Sequence, residues 1–250
     1  MNCDDVNLEA WNQFDRVYFE NSVISKNDFH YGLCIGGERH YHILPCLTNL
    51  KVCDVGTGCG ENAFFLATRC KSVVGIDPSS FFIHMAKKQF AAQKNLSFEQ
   101  SDFFSHSGCQ YDLITFIGSL DYIELSNLFF QKLNSISTVG TKIIIGKMHP
   151  VWTSLFNHEL DELMLHSYFQ VRSDIVSYGE TSFYRWHYSL SDIVNLFKNN
   201  GWGLFHLSEP LPVKKTECPF YMKNAFEDSV LQSRMKKVPM TLVLGFSRET

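Results

Sequence analysis

The feature that most constrains this chain is the stretch Val52-Cys53-Asp54-Val55-Gly56-Thr57-Gly58-Cys59-Gly60. A short apolar run, Lys51–Val55, turns through three alternate glycines toward the helix-forming run Asn62–Arg69. An apolar run of that length bounded by turn residues reads as a buried strand. Glycines in the turn adopt dihedrals closed to other residues and let the backbone approach a ligand closely. Strand, glycine turn and helix in that order place a ligand beyond the carboxyl end of a parallel sheet.

The pattern repeats downstream. Ser72–Ile76, Leu96–Gln100, Asp112–Ile117 and Thr141–Gly146 read as further strands, with helices over Ser79–Gln93 and Ser126–Ser135 between them. Strands alternating with helices imply a doubly wound α/β sheet. Trp202–Leu207 and Thr241–Phe246 read as two late strands, the last antiparallel, which completes a Rossmann-like, mostly parallel sheet of seven. No Pro/Gly/Ser linker divides the 250 residues, so the expectation is a single domain over 1–250. Within it, 1–50 is a mostly helical lid, with Glu38–Leu47 leading into the first strand, and 51–147 is the ligand-binding core. An inserted cap over 148–200 is irregular and aromatic-rich up to 188, then forms the helix Ser191–Asn199 with Ser191 as its N-cap. The closing strands lie in 201–250.

Two ligand classes use such a turn. Counted from Gly56, the dinucleotide fingerprint GxGxxG needs its third glycine where Glu61 stands; here the third is Gly60, giving GxGxG. A carboxylate ending the second strand, Asp77, can accept hydrogen bonds from both ribose hydroxyls, a geometry also used for NAD. The same residue also reads as the cap of the next helix, with Pro78 at its first position.

The turn, Asp77, Ser101-Asp102-Phe103 and the run Tyr111–Ile123 together resemble the class I S-adenosylmethionine-dependent methyltransferases, over about residues 48–147 and more weakly to the end. The small-molecule type is the nearer likeness, through Arg185–Asp192, Gly201-Trp202 and Glu209-Pro210. The resemblance implies S-adenosylmethionine as cofactor and S-adenosylhomocysteine as product. It implies that Gly56, Thr57, Gly58 and Gly60 shape the cofactor turn, with Asp54 near the cofactor's amino group. Asp77 and Pro78 then lie at the ribose, Asp102 at the adenine amino group, Phe103 on the ring, and Ile117 and Gly118 on the methionine and ribose side. Tyr31, in the lid segment His30-Tyr31-Gly32, is a further cofactor contact.

The acceptor is expected beneath the cap, whose aromatics include Trp152, Phe156, Tyr168, Phe169, Tyr178, Phe183, Tyr184, Trp186 and Tyr188. Such side chains suit an aromatic or heterocyclic small molecule. If the acceptor must lose a proton, His149, after the fifth strand, is the first candidate base and His187 the second, with His30 and Asp121 also in position. Net charge is −4 with no long basic block, which disfavours a nucleic-acid partner. A tRNA or peptide methyltransferase, an NAD-dependent oxidoreductase and a catalytically silent cofactor-binding protein stay open as alternatives. Eight cysteines without a CxxC pair and histidines without ligand spacing predict no metal site. An acidic start without an apolar core and the lack of a spanning apolar run predict a cytoplasmic chain off the membrane.

Overall fold

The structure, a computed structural model, describes residues 3–155, 167–178 and 181–249. In chain order these form α1 (Cys3–Asn21), β1 (Ser22–Ile24), α2 (Glu38–Tyr41), β2 (Lys51–Val55), α3 (Glu61–Ala67), β3 (Ser72–Asp77) and α4 (Ser80–Gln89). Next come β4 (Leu96–Gln100), β5 (Tyr111–Ile117), α5 (Asn127–Ser135), β6 (Ser137–Met148) and α6 (Pro150–Leu155). The hairpin β7 (Arg172–Tyr178) and β8 (Thr181–His187) precedes α7 (Leu190–Asn199), β9 (Trp202–Ser208), β10 (Phe220–Met222), α8 (Ser229–Met235) and β11 (Thr241–Arg248).

Seven strands form one sheet in the order β4-β3-β2-β5-β6-β11-β9. β2 to β6 pair in parallel, and β11 runs antiparallel to both neighbours, β6 and β9. The order reverses at β2, so a crevice opens beside its carboxyl end. Period-two alternation supplies a core on each face. Cys53, Ile114, Ile143, Ile145, Leu242 and Leu244 face α5 and α7, where Phe197 stacks on Phe246 at 4.3 Å. Val52, Leu113, Ile144 and Val243 face the opposite layer with Phe65, Leu66 and Ile83.

Four local expectations change. The helix expected over Glu38–Leu47 stops at Tyr41, because His42 turns left-handed at φ 51°. The Glu38 carboxylate then accepts from the Ile43 and Leu44 amides at 3.0 and 3.2 Å, in place of helical carbonyls. Part of the 148–188 segment is regular: β7 and β8 pair from Arg172–His187 to Tyr178–Thr181. The following helix begins one residue earlier than expected. Its N-cap is Ser189, whose hydroxyl accepts from the Asp192 amide while the Asp192 carboxylate accepts from the Ser189 amide, a capping box. Pro78 lies outside α4, which Ser79 caps by accepting from the Phe82 amide.

Candidate active site

A cleft of about 1620 Å³ opens over the carboxyl ends of β2, β3 and β5. Its floor is the glycine turn. Gly56, Gly58 and Gly60 have φ of 73°, 55° and 88°, the left-handed region that glycine enters without strain. The Gly56 and Thr57 amides both donate to the Ile76 carbonyl, at 2.8 and 3.0 Å, which docks the turn on β3. A Cβ on Gly56 would stand 2.4 Å from Ser119 Cβ, and one on Gly60 would stand 2.6 Å from Phe98 Cζ. On Gly58 it would meet nothing within 4 Å. Gly56 and Gly60 thus serve packing, Gly60 from outside the cleft wall, and Gly58 leaves a cradle open to a ligand. Gly118 does the same across the cleft, with φ 78° and open space.

The acids around this turn have separate tasks. Asp54 accepts from the hydroxyls of Thr57 and Thr115 at 2.7 and 2.6 Å, and burial pushes its carboxyl up against their pull. It braces the turn from behind. Asp77 accepts from the Gly58 amide at 3.0 Å and the Ser79 amide at 2.9 Å, so it steadies the cradle rather than capping α4 itself. Burial pushes Asp77 up to about 6 and Glu61, at the start of α3, up to about 7. Both face the cleft, where a cation would relieve the cost of burying their charge. Asp102, exposed at the rim, accepts from the Phe104 and Ser105 amides at 2.8 and 2.9 Å. Burial alone would raise its carboxyl, but bonds from Ser105 and Phe104 hold it below its ordinary value.

Asp54, Gly56, Thr57, Gly58, Asp77, Pro78, Asp102, Phe103, Ile117 and Gly118 are brought to this one cleft. Tyr31 is not: it is buried, and its hydroxyl donates to the Glu38 carboxylate. The Phe103 ring lies among Phe104, Phe116 and Phe129 at 5.1–5.5 Å, which leaves it 3% exposed.

The opposite wall is aromatic and belongs chiefly to α1. Trp11 meets Tyr122 at 5.3 Å, Phe82 at 6.3 Å and Phe183 at 4.7 Å. Asn7 pins the helix to β8, donating to the Tyr184 carbonyl at 2.8 Å and accepting from its amide at 2.7 Å. Asn62 does the same for His30, at 3.0 Å in each direction. Sequence reasoning missed Trp11, Tyr18, Glu61 and Asn62 at the cleft; only the acid and amide directly after Gly60 carried a local signal.

Of the cap aromatics, Trp186 lines the cleft and Phe183 backs Trp11. Trp152 and Tyr188 are buried elsewhere, and Phe169 is 84% exposed. Tyr168 accepts from the Leu190 amide through its hydroxyl, and the Tyr184 backbone holds Asn7. Phe156 lies outside the described residues, as does the Tyr178 side chain.

His149 and His187 do not reach the cleft wall. His149 Nε2 lies 2.7 Å from a Glu209 carboxylate oxygen, and its Nδ1 accepts from the Val151 amide at 3.1 Å. His187 Nδ1 pairs with the Thr153 hydroxyl at 3.1 Å, and Nε2 with the Tyr168 carbonyl at 2.9 Å. Burial lowers both imidazoles. With both ring nitrogens engaged, neither is placed to take a proton from an acceptor, and Asp121 is ion-paired with Lys147 at 2.7 Å. Among the described residues, the histidine that faces the cleft is His30.

Residues 47–184 match the family model described as a methyltransferase domain. A stretch of 96 residues is 37% identical to the release factor glutamine methyltransferase of Buchnera aphidicola subsp. Baizongia pistaciae (strain Bp). That match covers 36% of this chain and 34% of the relative, so the chain spans about a third of that protein's length. Among solved structures, a protein from Listeria monocytogenes described as a putative S-adenosylmethionine-dependent methyltransferase superposes with a TM-score of 0.69 at 19% identity, covering 84% of this chain and 94% of that one. An S-adenosylmethionine-dependent methyltransferase from Mesorhizobium loti gives 0.64 at 17% identity, over 83% and 94%. The protein described as the putative methyltransferase in complex with the Haloferax volcanii Trm112 methyltransferase activator gives 0.66 at 14% identity, over 100% and 98%. The chain belongs to the methyltransferase-domain family and has the fold of its S-adenosylmethionine-dependent members.

Proposed function

We propose that this chain binds S-adenosylmethionine on the glycine turn and methylates a small aromatic or heterocyclic molecule held against α1. The observation that carries the reading is the cleft itself, with an acidic, backbone-built floor and an aromatic wall. Its volume of about 1620 Å³ exceeds the ~300–1,000 Å³ usual for one small ligand, which leaves room for an acceptor beside a cofactor. When bound, S-adenosylmethionine supplies an electrophilic methyl group on a positively charged sulfur. Asp77 is the residue for the ribose hydroxyls, and Gly58 leaves the space a close ligand needs. Glu61 and Asp54 favour the positive charge, while Trp11 and Tyr122 exclude water from the reacting centre. Displacement at a methyl carbon needs alignment more than acid–base chemistry, so the wall contributes by positioning.

A peptide acceptor is the second reading, favoured by the identity shared with the release factor glutamine methyltransferase. A cytoplasmic setting and a small-molecule partner in place of a nucleic acid or a membrane belong to the first reading. Among the described residues no helix is long and apolar enough to cross a membrane. The experiment is a transfer assay with methyl-labelled S-adenosylmethionine and a cell extract split by size. The reading predicts label in the small-molecule fraction. Label confined to protein would select the peptide reading, and label confined to RNA would overturn both.

A further inference from the structure

His30 is a polar group of the cleft whose chemistry the preceding reading leaves unused. Its backbone is fixed to the cofactor side through Asn62, while its ring packs on Phe220 of β10 at 4.7 Å, on the acceptor side. Phe220 in turn meets Tyr18 of α1 at 6.4 Å, so the ring belongs to the aromatic wall. Nδ1 is wholly buried and has no hydrogen-bond partner among the described residues. Buried N–H groups left unpaired are rarer than acceptors left unpaired, so Nδ1 carries the lone pair and the proton sits on Nε2. Nε2 is then the ring nitrogen available to a molecule in the cleft. Among the described residues, the charged groups on the lining are Asp54, Glu61, Asp77, Asp102 and Glu124 against Lys132, a balance that repels an anionic acceptor.

We propose that His30 presents a fixed Nε2–H to the acceptor and selects neutral molecules that carry an oxygen or nitrogen lone pair beside the methylated atom. The proposal rests on the cleft being the methyl-transfer site. Burial holds the imidazole down at about 3, so the ring stays uncharged near neutrality and offers a hydrogen bond without a counter-charge. With no counter-charge at the ring, the acidic lining disfavours a carboxylate, while a neutral carbonyl, hydroxyl or ring nitrogen takes the bond without that repulsion.

The test uses the full chain, labelled with ¹⁵N-histidine and loaded with S-adenosylhomocysteine, with benzamide, benzoate and benzylamine as probes. His30 signals are assigned by their loss in His30→Phe, which keeps an aromatic ring against Phe220. The expected result is an Nε2–H tautomer that stays neutral down to pH 5, with Nε2 shifting on addition of benzamide. Benzamide should bind at least fivefold more tightly than benzoate. His30→Phe should weaken benzamide at least fivefold, leave benzylamine, a cation without a free lone pair, unweakened, and keep S-adenosylhomocysteine affinity within twofold. An Nδ1–H tautomer, an imidazolium, or a benzamide affinity that survives His30→Phe overturns the proposal. So does absence of binding by all three probes, or a tenfold loss of S-adenosylhomocysteine affinity in His30→Phe, which would give the ring to the cofactor. If His30→Phe does not fold, the wild-type spectrum, assigned with His30→Gln, and the probe ranking decide alone. Failure of the wild-type protein to bind S-adenosylhomocysteine overturns the reading of the cleft as well.

Discussion

The two walls of the cleft are built in opposite ways. The cofactor wall comes from one continuous region, Asp54 to Gly118, and its working parts are backbone turns at strand ends steadied by carboxylates. The aromatic wall is gathered from α1, α4, β8, β10 and the turn after β5, and its working parts are side chains. Each is tied to its neighbour by one asparagine that both donates to and accepts from another residue's backbone: Asn62 for His30, Asn7 for Tyr184. A wall of backbone tolerates little change in its own residues. A wall of side chains can be refitted to another acceptor without disturbing the cofactor.

The largest effect should follow a methyl group placed on the turn. Gly56→Ala puts a Cβ 2.4 Å from Ser119 at φ 73°. Overpacking costs ~1–3 kcal/mol and the left-handed conformation about 1–2 kcal/mol, so a thermal melt should show a clear loss of stability. Gly58→Ala meets nothing within 4 Å and carries only the left-handed cost at φ 55°, about 1–2 kcal/mol, so it should lose less stability than Gly56→Ala while losing more cofactor affinity. Equal stability losses in the two variants would remove the division of labour between these glycines.

Next in size is Asp77→Asn, which should cost about 1.5–3 kcal/mol of cofactor affinity in a calorimetric titration, the scale of hydrogen bonds to a charged group. Its pH dependence has a fixed sign. The carboxyl is raised to about 6 in the folded protein, so wild-type affinity should fall as pH drops through 6, where Asp77 takes up a proton. Free-protein stability moves the other way. Because the folded values of Asp77 and Glu61 lie above their ordinary ones, the stability these groups add at low pH is lost as pH rises through about 6 and 7. A cofactor affinity flat between pH 5 and 8 would deny Asp77 a direct role.

On the aromatic wall, Asn7→Ala leaves the Tyr184 amide and carbonyl without their partner and should cost ~1–3 kcal/mol of stability. S-adenosylhomocysteine affinity should change less than acceptor turnover. An equal drop in both would merge the two walls into one unit. Smallest of all, Leu128→Ser at the 66% exposed rim should stay within about 0.5 kcal/mol of the parent in a melt.

The same contrast explains what the sequence made legible. Most of the sheet strands are readable as apolar runs closed by turn residues, β4 (LSFEQ) only by its place in the alternation of strands and helices, and the floor residues because they follow those strands within a few positions. Trp11, Tyr18 and Phe220 carry no local mark of function: the first two reach the cleft only because α1 lies along β8, and Phe220 backs Tyr18 and His30 because β10 pairs with β1. His149 was placed at the cleft because it follows a parallel strand, but Glu209 and the Val151 amide take both its ring nitrogens. Of the two lid residues singled out in the sequence, His30 faces the cleft and Tyr31 turns into the core toward Glu38. Neighbouring residues in extended chain point to opposite sides, so a lid segment read without its register misses by one.

The most direct test is calorimetric titration of the wild-type protein with S-adenosylhomocysteine and, separately, with NAD at pH 7.5. The account predicts one saturable site for S-adenosylhomocysteine, weakened in Asp77→Asn, and no saturable binding of NAD. Saturation by NAD with none by S-adenosylhomocysteine would contradict it.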